Sequence, residues 1–175
     1  MKRLAILGSL VVIADLLDIT STYLATPDLA FEWNPLVRSY GWGWEAIIML
    51  HLVVDIIFIA WIWYHCKLTP SAEEVPSDVK TFPQTARWVV TGYHAGEREI
   101  DLKKYIGFLG LVIPLGAVIN ALCNTVLNLS FYFGFFGGLT ESTYNIYTII
   151  KLIIILVGIC VVVYLYLKRM YGGKR

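Results

Sequence analysis

Four long apolar runs constrain this chain more than any other feature: residues 4–25, 44–66, 105–133 and 144–168, approximately. A bilayer-spanning helix needs about 20 mostly apolar residues, because each adds 1.5 Å of rise through a hydrocarbon core roughly 30 Å thick. Helix is the conformation expected for all four, since an open strand edge in lipid would leave backbone groups unpaired. The third run contains Pro114 and is long enough to tilt or kink. Lys2 and Arg3 ahead of the first run imitate a signal peptide. That run is too long for one, and Asp15 and Asp18 interrupt it, so it reads as a helix of the mature protein.

Composition agrees. Of the 175 residues, 58% are hydrophobic and 15% charged, against about 45–50% and about 25% in soluble domains. The net charge of +1 provides no field to draw in nucleic acid, so membrane lipid is the expected partner and nucleic acid is not. The expected fold is an all-α polytopic membrane protein, a four-transmembrane-helix bundle forming a single membrane domain over residues 1–175.

Basic residues set the orientation. Lys2 and Arg3 precede the first run, and Lys67, Lys80, Arg87, Arg98, Lys103 and Lys104 lie in the 67–104 loop. Lys168, Arg169, Lys174 and Arg175 follow the last run, whereas loops 26–43 and 134–143 hold only Arg38 between them. Both termini and the 67–104 loop are therefore expected on the cytoplasmic side of the cell membrane. Trp33, Trp42, Trp44, Tyr144 and Tyr147 fit an outer aromatic belt, and Trp61, Trp63, Tyr64, Tyr164 and Tyr166 an inner one.

The 67–104 loop is too short to bury a core as a separate domain. It opens on a Pro/Ser/Glu mixture, and Arg87-Trp88-Val89-Val90 within it reads as a membrane-surface segment or a short strand. Cys66, Cys123 and Cys160 have no metal-site spacing and read as buried small hydrophobes. His65 and His94 read as surface residues, and the glycines at 107, 110 and 134–138 as close-packing or turn positions. No internal repeat is evident.

The polar residues inside the runs carry the functional signal, because a charge at the bilayer centre costs about 2.5–3.5 kcal/mol on insertion scales. Asp15 and Asp18 share a face of the first helix, and His51 and Asp55 a face of the second. Asn120, Asn124 and Asn128 form a stripe on the third, and Lys151 lies within the fourth, placed to neutralise one of the acids. With alternating helix directions these residues fall at matching depths, so a polar pocket opening outward is expected. Loop 26–43 would cover it as a re-entrant or lid-like segment. Asn34-Pro35 would start a turn or helix there, with Glu32 and Arg38 facing the site.

Asp18-Ile19-Thr20-Ser21-Thr22, followed by Glu32-Trp33-Asn34-Pro35, is similar to a D-x-x-[ST]-T … E-x-N-P signature. That signature belongs to a family of small, uncharacterised prokaryotic membrane proteins. The match covers about the first 40 residues. The resemblance implies a role for Asp18, Thr22, Glu32 and Asn34 without naming a reaction.

Three functions are compatible with these residues. In a metal-dependent enzyme on a lipid or membrane-embedded substrate, Asp18, His51 and Asp55 would bind Zn²⁺, Mg²⁺ or Mn²⁺. Asp15 or Glu32 would act as general base there. Asn34, Arg38, Asn120, Asn124, Asn128 and Lys151 would contact substrate, although the Asn stripe reads first as helix glue. In a proton- or cation-translocating protein, expected as a homodimer, the same residues would form a relay. In a non-catalytic subunit or small-ligand binder the network would only hold helices together.

Overall fold

An apolar stretch in lipid must close its backbone hydrogen bonds within itself, and this chain does so in long helices. The computed structural model describes residues 2–30, 34–68, 75–91, 101–135 and 141–172. In order, the helices are α1 (Lys2–Ala25), α2 (Pro35–Tyr40), α3 (Trp44–Leu68), α4 (Phe82–Thr91), α5 (Leu102–Tyr132) and α6 (Glu141–Gly172). There is no strand among the described residues. Four of the helices are long and apolar enough to cross a membrane: α1, α3, α5 and the Asn145–Gly172 part of α6.

The expected spans are found within a few residues of their boundaries. The largest shifts are at the cytoplasm-assigned ends. There α5 begins at Leu102, where Asp101 caps it by accepting from the amides of Lys103 and Lys104 at 3.0 and 3.3 Å. Pro114 lies inside α5 and is buried.

Packing pairs fix the helix directions. Gly8 faces Ile59, Asp15 meets His51, and the rings of Tyr23 and Trp44 stand 5.5 Å apart, so α3 runs antiparallel to α1. Asp18 meets Asn124 and Thr22 meets Asn128, so α5 runs parallel to α1. Gly116 faces Ile159, and Lys151 meets Asn124, so α6 returns antiparallel to α5. The start of α1 and the end of α6 thus lie at the same end of the bundle. α1, α3 and α5 pack against one another, while α6 packs mainly on α5 and α4 and meets α3 where the Tyr166 and His65 rings stand 6.0 Å apart.

Close approach at that common end depends on glycine. A Cβ on Gly110 would stand 2.7 Å from both the Trp61 carbonyl oxygen and its ring, so only hydrogen fits. The approach lets Trp61 Nε1 donate to the Ile106 carbonyl at 3.1 Å and His65 Nδ1 to that of Gly107 at 2.8 Å. His65 is therefore buried between helices and is not a surface residue. His94 lies outside the described residues.

The Arg87–Val90 segment is not a strand. It belongs to α4, whose Trp88 and Val89 join Val75, Val79, Leu167 and Met170 in a small core against the end of α6. Lys104 Nζ lies 4.3 Å from the centroid of the Trp88 ring. Within the 67–104 stretch, the described residues 75–91 thus pack on the end of α6.

The three cysteines are free, and none is the fully buried small hydrophobe expected. Cys66 and Cys123 are half-buried, and Cys160 is exposed on α6.

Candidate intramembrane site

Near mid-height, α1, α3 and α5 part around a half-open cavity of about 230 Å³. Periodicity places its lining. Val11, Asp15 and Asp18 recur at four and three residues on α1, and His51, Asp55 and Phe58 at four and three on α3. Small residues of α5, Ala117 and Ala121, leave the space open, and Asn120 faces it between them. The walls are otherwise apolar, from Leu50, Val54 and Val118.

The structure brings Asp15, Asp18, His51, Asp55 and Asn120 together around this cavity. His51 Nδ1 donates to Asp15 Oδ1 at 2.5 Å, joining α3 to α1. The pair is only partly exposed, at 26% and 19% of the side-chain surface, so each group compensates the other's removal from water. Holding Nδ1–H leaves Nε2 as the nitrogen open to proton exchange. His51 therefore pairs across helices with Asp15 and not with Asp55, its neighbour on the same helix face. Neither Asp55 nor Asn120 makes a hydrogen bond among the described residues, although both line the cavity.

One turn further along α1 the polar groups tie helices together. Asn124 Nδ2 donates to Asp18 Oδ2 at 3.1 Å, and Lys151 Nζ donates to Asn124 Oδ1 at 3.1 Å. Lys151 thus reaches the Asp18 carboxylate through an intervening amide. Beyond it, Asn128 Nδ2 donates to Thr22 Oγ1 at 2.8 Å and to Ser21 Oγ at 3.2 Å. The stripe on α5 divides by depth: Asn120 faces the cavity, and Asn124 and Asn128 bind α1. In lipid such bonds supply helix association that water would otherwise drive. The Tyr147 hydroxyl adds a contact absent from the sequence reading, donating to the Cys123 carbonyl from α6.

The outer connection has a different role in the part that is described. Asn34 Oδ1 accepts from the Leu36 amide at 3.0 Å as the N-cap of α2, where Pro35 takes the first helical position. Gly41 closes α2 in the left-handed region at φ +67°. Trp44 Nε1 donates to the Pro27 carbonyl at 2.7 Å, securing the connection to the top of α3. Arg38 is exposed. No described residue of 26–43 lines the cavity, and Glu32, with the candidate lid around it, lies outside the described residues.

Asp18, His51 and Asp55 do not assemble as a metal centre. Among the described residues no group of three His, Cys, Asp or Glu side chains stands where it could hold a metal ion. The physical reason is visible in their partners: Asp18 is held toward α5 by Asn124, and the His51 ring is turned to Asp15.

Phe58, Ala117 and Ala121 are the site-forming residues that a search for polar side chains passes over. Phe58 was nonetheless legible, because it sits three residues beyond Asp55 on the same face. No protein-family model matches the chain, and neither a curated protein nor a solved structure matches it.

Proposed function

We propose that this is an integral protein of the cell membrane that moves a proton or small cation through the cavity between α1, α3 and α5. The observation that carries this reading is Asp55: a carboxylate at mid-helix, lining a cavity, with no hydrogen-bond partner among the described residues. A carboxylate in a low-dielectric site is held in place by a proton or by a cation. The adjoining His51–Asp15 pair offers a second exchangeable proton within the same cavity. The remaining polar residues, from Asn124 to Lys151, hold the helices that frame it.

The charge asymmetry supports cytoplasmic termini. Lys2, Arg3, Lys67, Lys80, Arg87, Lys103, Lys104, Lys168 and Arg169 gather at the end where α1 begins and α6 finishes. Four spanning helices are few for a complete path, and a homodimer is the expected working unit.

The test is flux into proteoliposomes containing the full chain, read by a lumenal pH dye under an imposed potassium diffusion potential. Wild-type protein should acidify or alkalinise the lumen according to the sign of the potential, and Asp55→Asn should not. Absence of flux under proton, sodium and potassium gradients alike would leave the polar residues as helix glue.

A further inference from the structure

The cavity is larger than a proton path requires. At about 30 Å³ per water, its volume of about 230 Å³ has room for on the order of seven waters. An apolar cavity of about 150 Å³ is enough to take benzene. Most of the wall here is also unsuited to water, being formed by Val11, Leu50, Val54, Phe58 and Val118. Five polar side chains also line it, Asp15, Asp18, His51, Asp55 and Asn120, and of these the Asp55 carboxylate and the Asn120 amide, with no hydrogen bond among the described residues, supply free acceptors. Of the basic groups near this level, His51 is paired with Asp15, and Lys151 lines no part of the cavity and is engaged with Asn124.

We propose that the cavity binds a small organic ammonium ion, its nitrogen on the Asp55 carboxylate and its apolar body against Phe58 and the Val54 wall. The proposal rests on the reading of the cavity as a cation site and narrows the cation to one class. A primary ammonium provides N–H donors for Asp55 and Asn120 and a charge that compensates the carboxylate. An alkali cation would meet few oxygen ligands here and would leave the apolar wall unfilled. The volume falls below the roughly 300–1,000 Å³ of drug-sized pockets, so the ligand is of about the size of benzylammonium.

The experiment is calorimetric titration of the purified full chain in detergent with benzylammonium, with benzyl alcohol as the neutral analogue and sodium chloride as the alkali control. Saturable binding of benzylammonium alone is expected. Asp55→Asn should weaken it by at least about tenfold, the scale for truncating one partner of a buried charge pair. Ala117→Leu fills the cavity while keeping every carboxylate, and should abolish binding without lowering the melting temperature. Equal binding of benzyl alcohol, or binding unchanged in Ala117→Leu, would overturn the proposal. Proteoliposome flux separates the two levels of inference. Asp55-dependent proton flux with no benzylammonium binding overturns the ligand class and keeps the translocation reading. Binding without flux of protons or of benzylammonium overturns translocation and keeps the ligand class.

Discussion

Asp55 and Asn124 are both polar groups in the middle of apolar helices, yet they differ in what their removal should do. Asn124 bonds Asp18 on α1 and Lys151 on α6 simultaneously. Interhelical bonds of this kind contribute on average about 0.6 and up to about 1.7 kcal/mol each. Asn124→Leu should therefore destabilise the protein by about 1–2 kcal/mol, read as a lower melting temperature in detergent. Asp55→Asn breaks no hydrogen bond among the described residues and should leave that temperature nearly unchanged while ending transport. The opposite ranking in melting would mean that Asp55 is structural. At this scale the sequence identified the polar residues but not their partners. His51 and Asp55 share a face four residues apart, which made them the natural pair. Helical spacing says which residues share a face, but it does not say which helix that face meets. His65 was missed for the same reason: its burial depends on the absence of side chains at Gly107 and Gly110, on another helix.

The helices themselves were legible, because lipid imposes both their length and their conformation. How closely they pack was not. Gly110 and Gly158 look equivalent in the sequence, but they meet different obstacles. A Cβ at Gly110 would collide at 2.7 Å with the backbone of α3, which cannot give way. At Gly158 the atom at 2.7 Å is Cδ1 of Ile119, the end of a flexible side chain. Gly110→Ala should therefore cost about 1–3 kcal/mol, the range for overpacking, and Gly158→Ala should be tolerated. Thermal unfolding of the two variants side by side checks this, and equal melting would refute the distinction. α4 illustrates another limit. A four-residue apolar run is too short for its period to separate strand from helix, and the α6 end that buries Trp88 and Val89 lies some 80 residues away in the chain. Trp88→Ala should release α4 from α6, read as faster amide exchange across residues 75–91 with the spanning helices unaffected. Exchange that accelerates throughout α5 and α6 would show that α4 supports the whole bundle.

For the molecule as a whole, the alternating helix directions place both ends of the chain together. Basic residues cluster at that end, which the positive-inside rule assigns to the cytoplasm. In a cysteine-free background, Ser77→Cys and Ser39→Cys put exposed thiols at opposite ends. A membrane-impermeant maleimide applied to intact cells should label Ser39→Cys, and Ser77→Cys only after permeabilisation. Reversed labelling would invert the topology and with it the direction of transport. The site as a whole was partly visible from the sequence, since the depths of Asp15, His51, Asp55 and Asn120 converge by helix direction alone. The cavity itself was not visible, because it depends on the space that Ala117 and Ala121 leave between helices. The central claim is that the cavity carries a cation across the bilayer on Asp55. Its most direct test is the transport current of proteoliposomes adsorbed on a solid-supported membrane, after a proton or benzylammonium concentration jump. Wild-type protein should give a sustained current, Asp55→Asn none, and Gly158→Ala one close to wild type. A current that survives Asp55→Asn, or none from the wild-type protein under either jump, would contradict the claim.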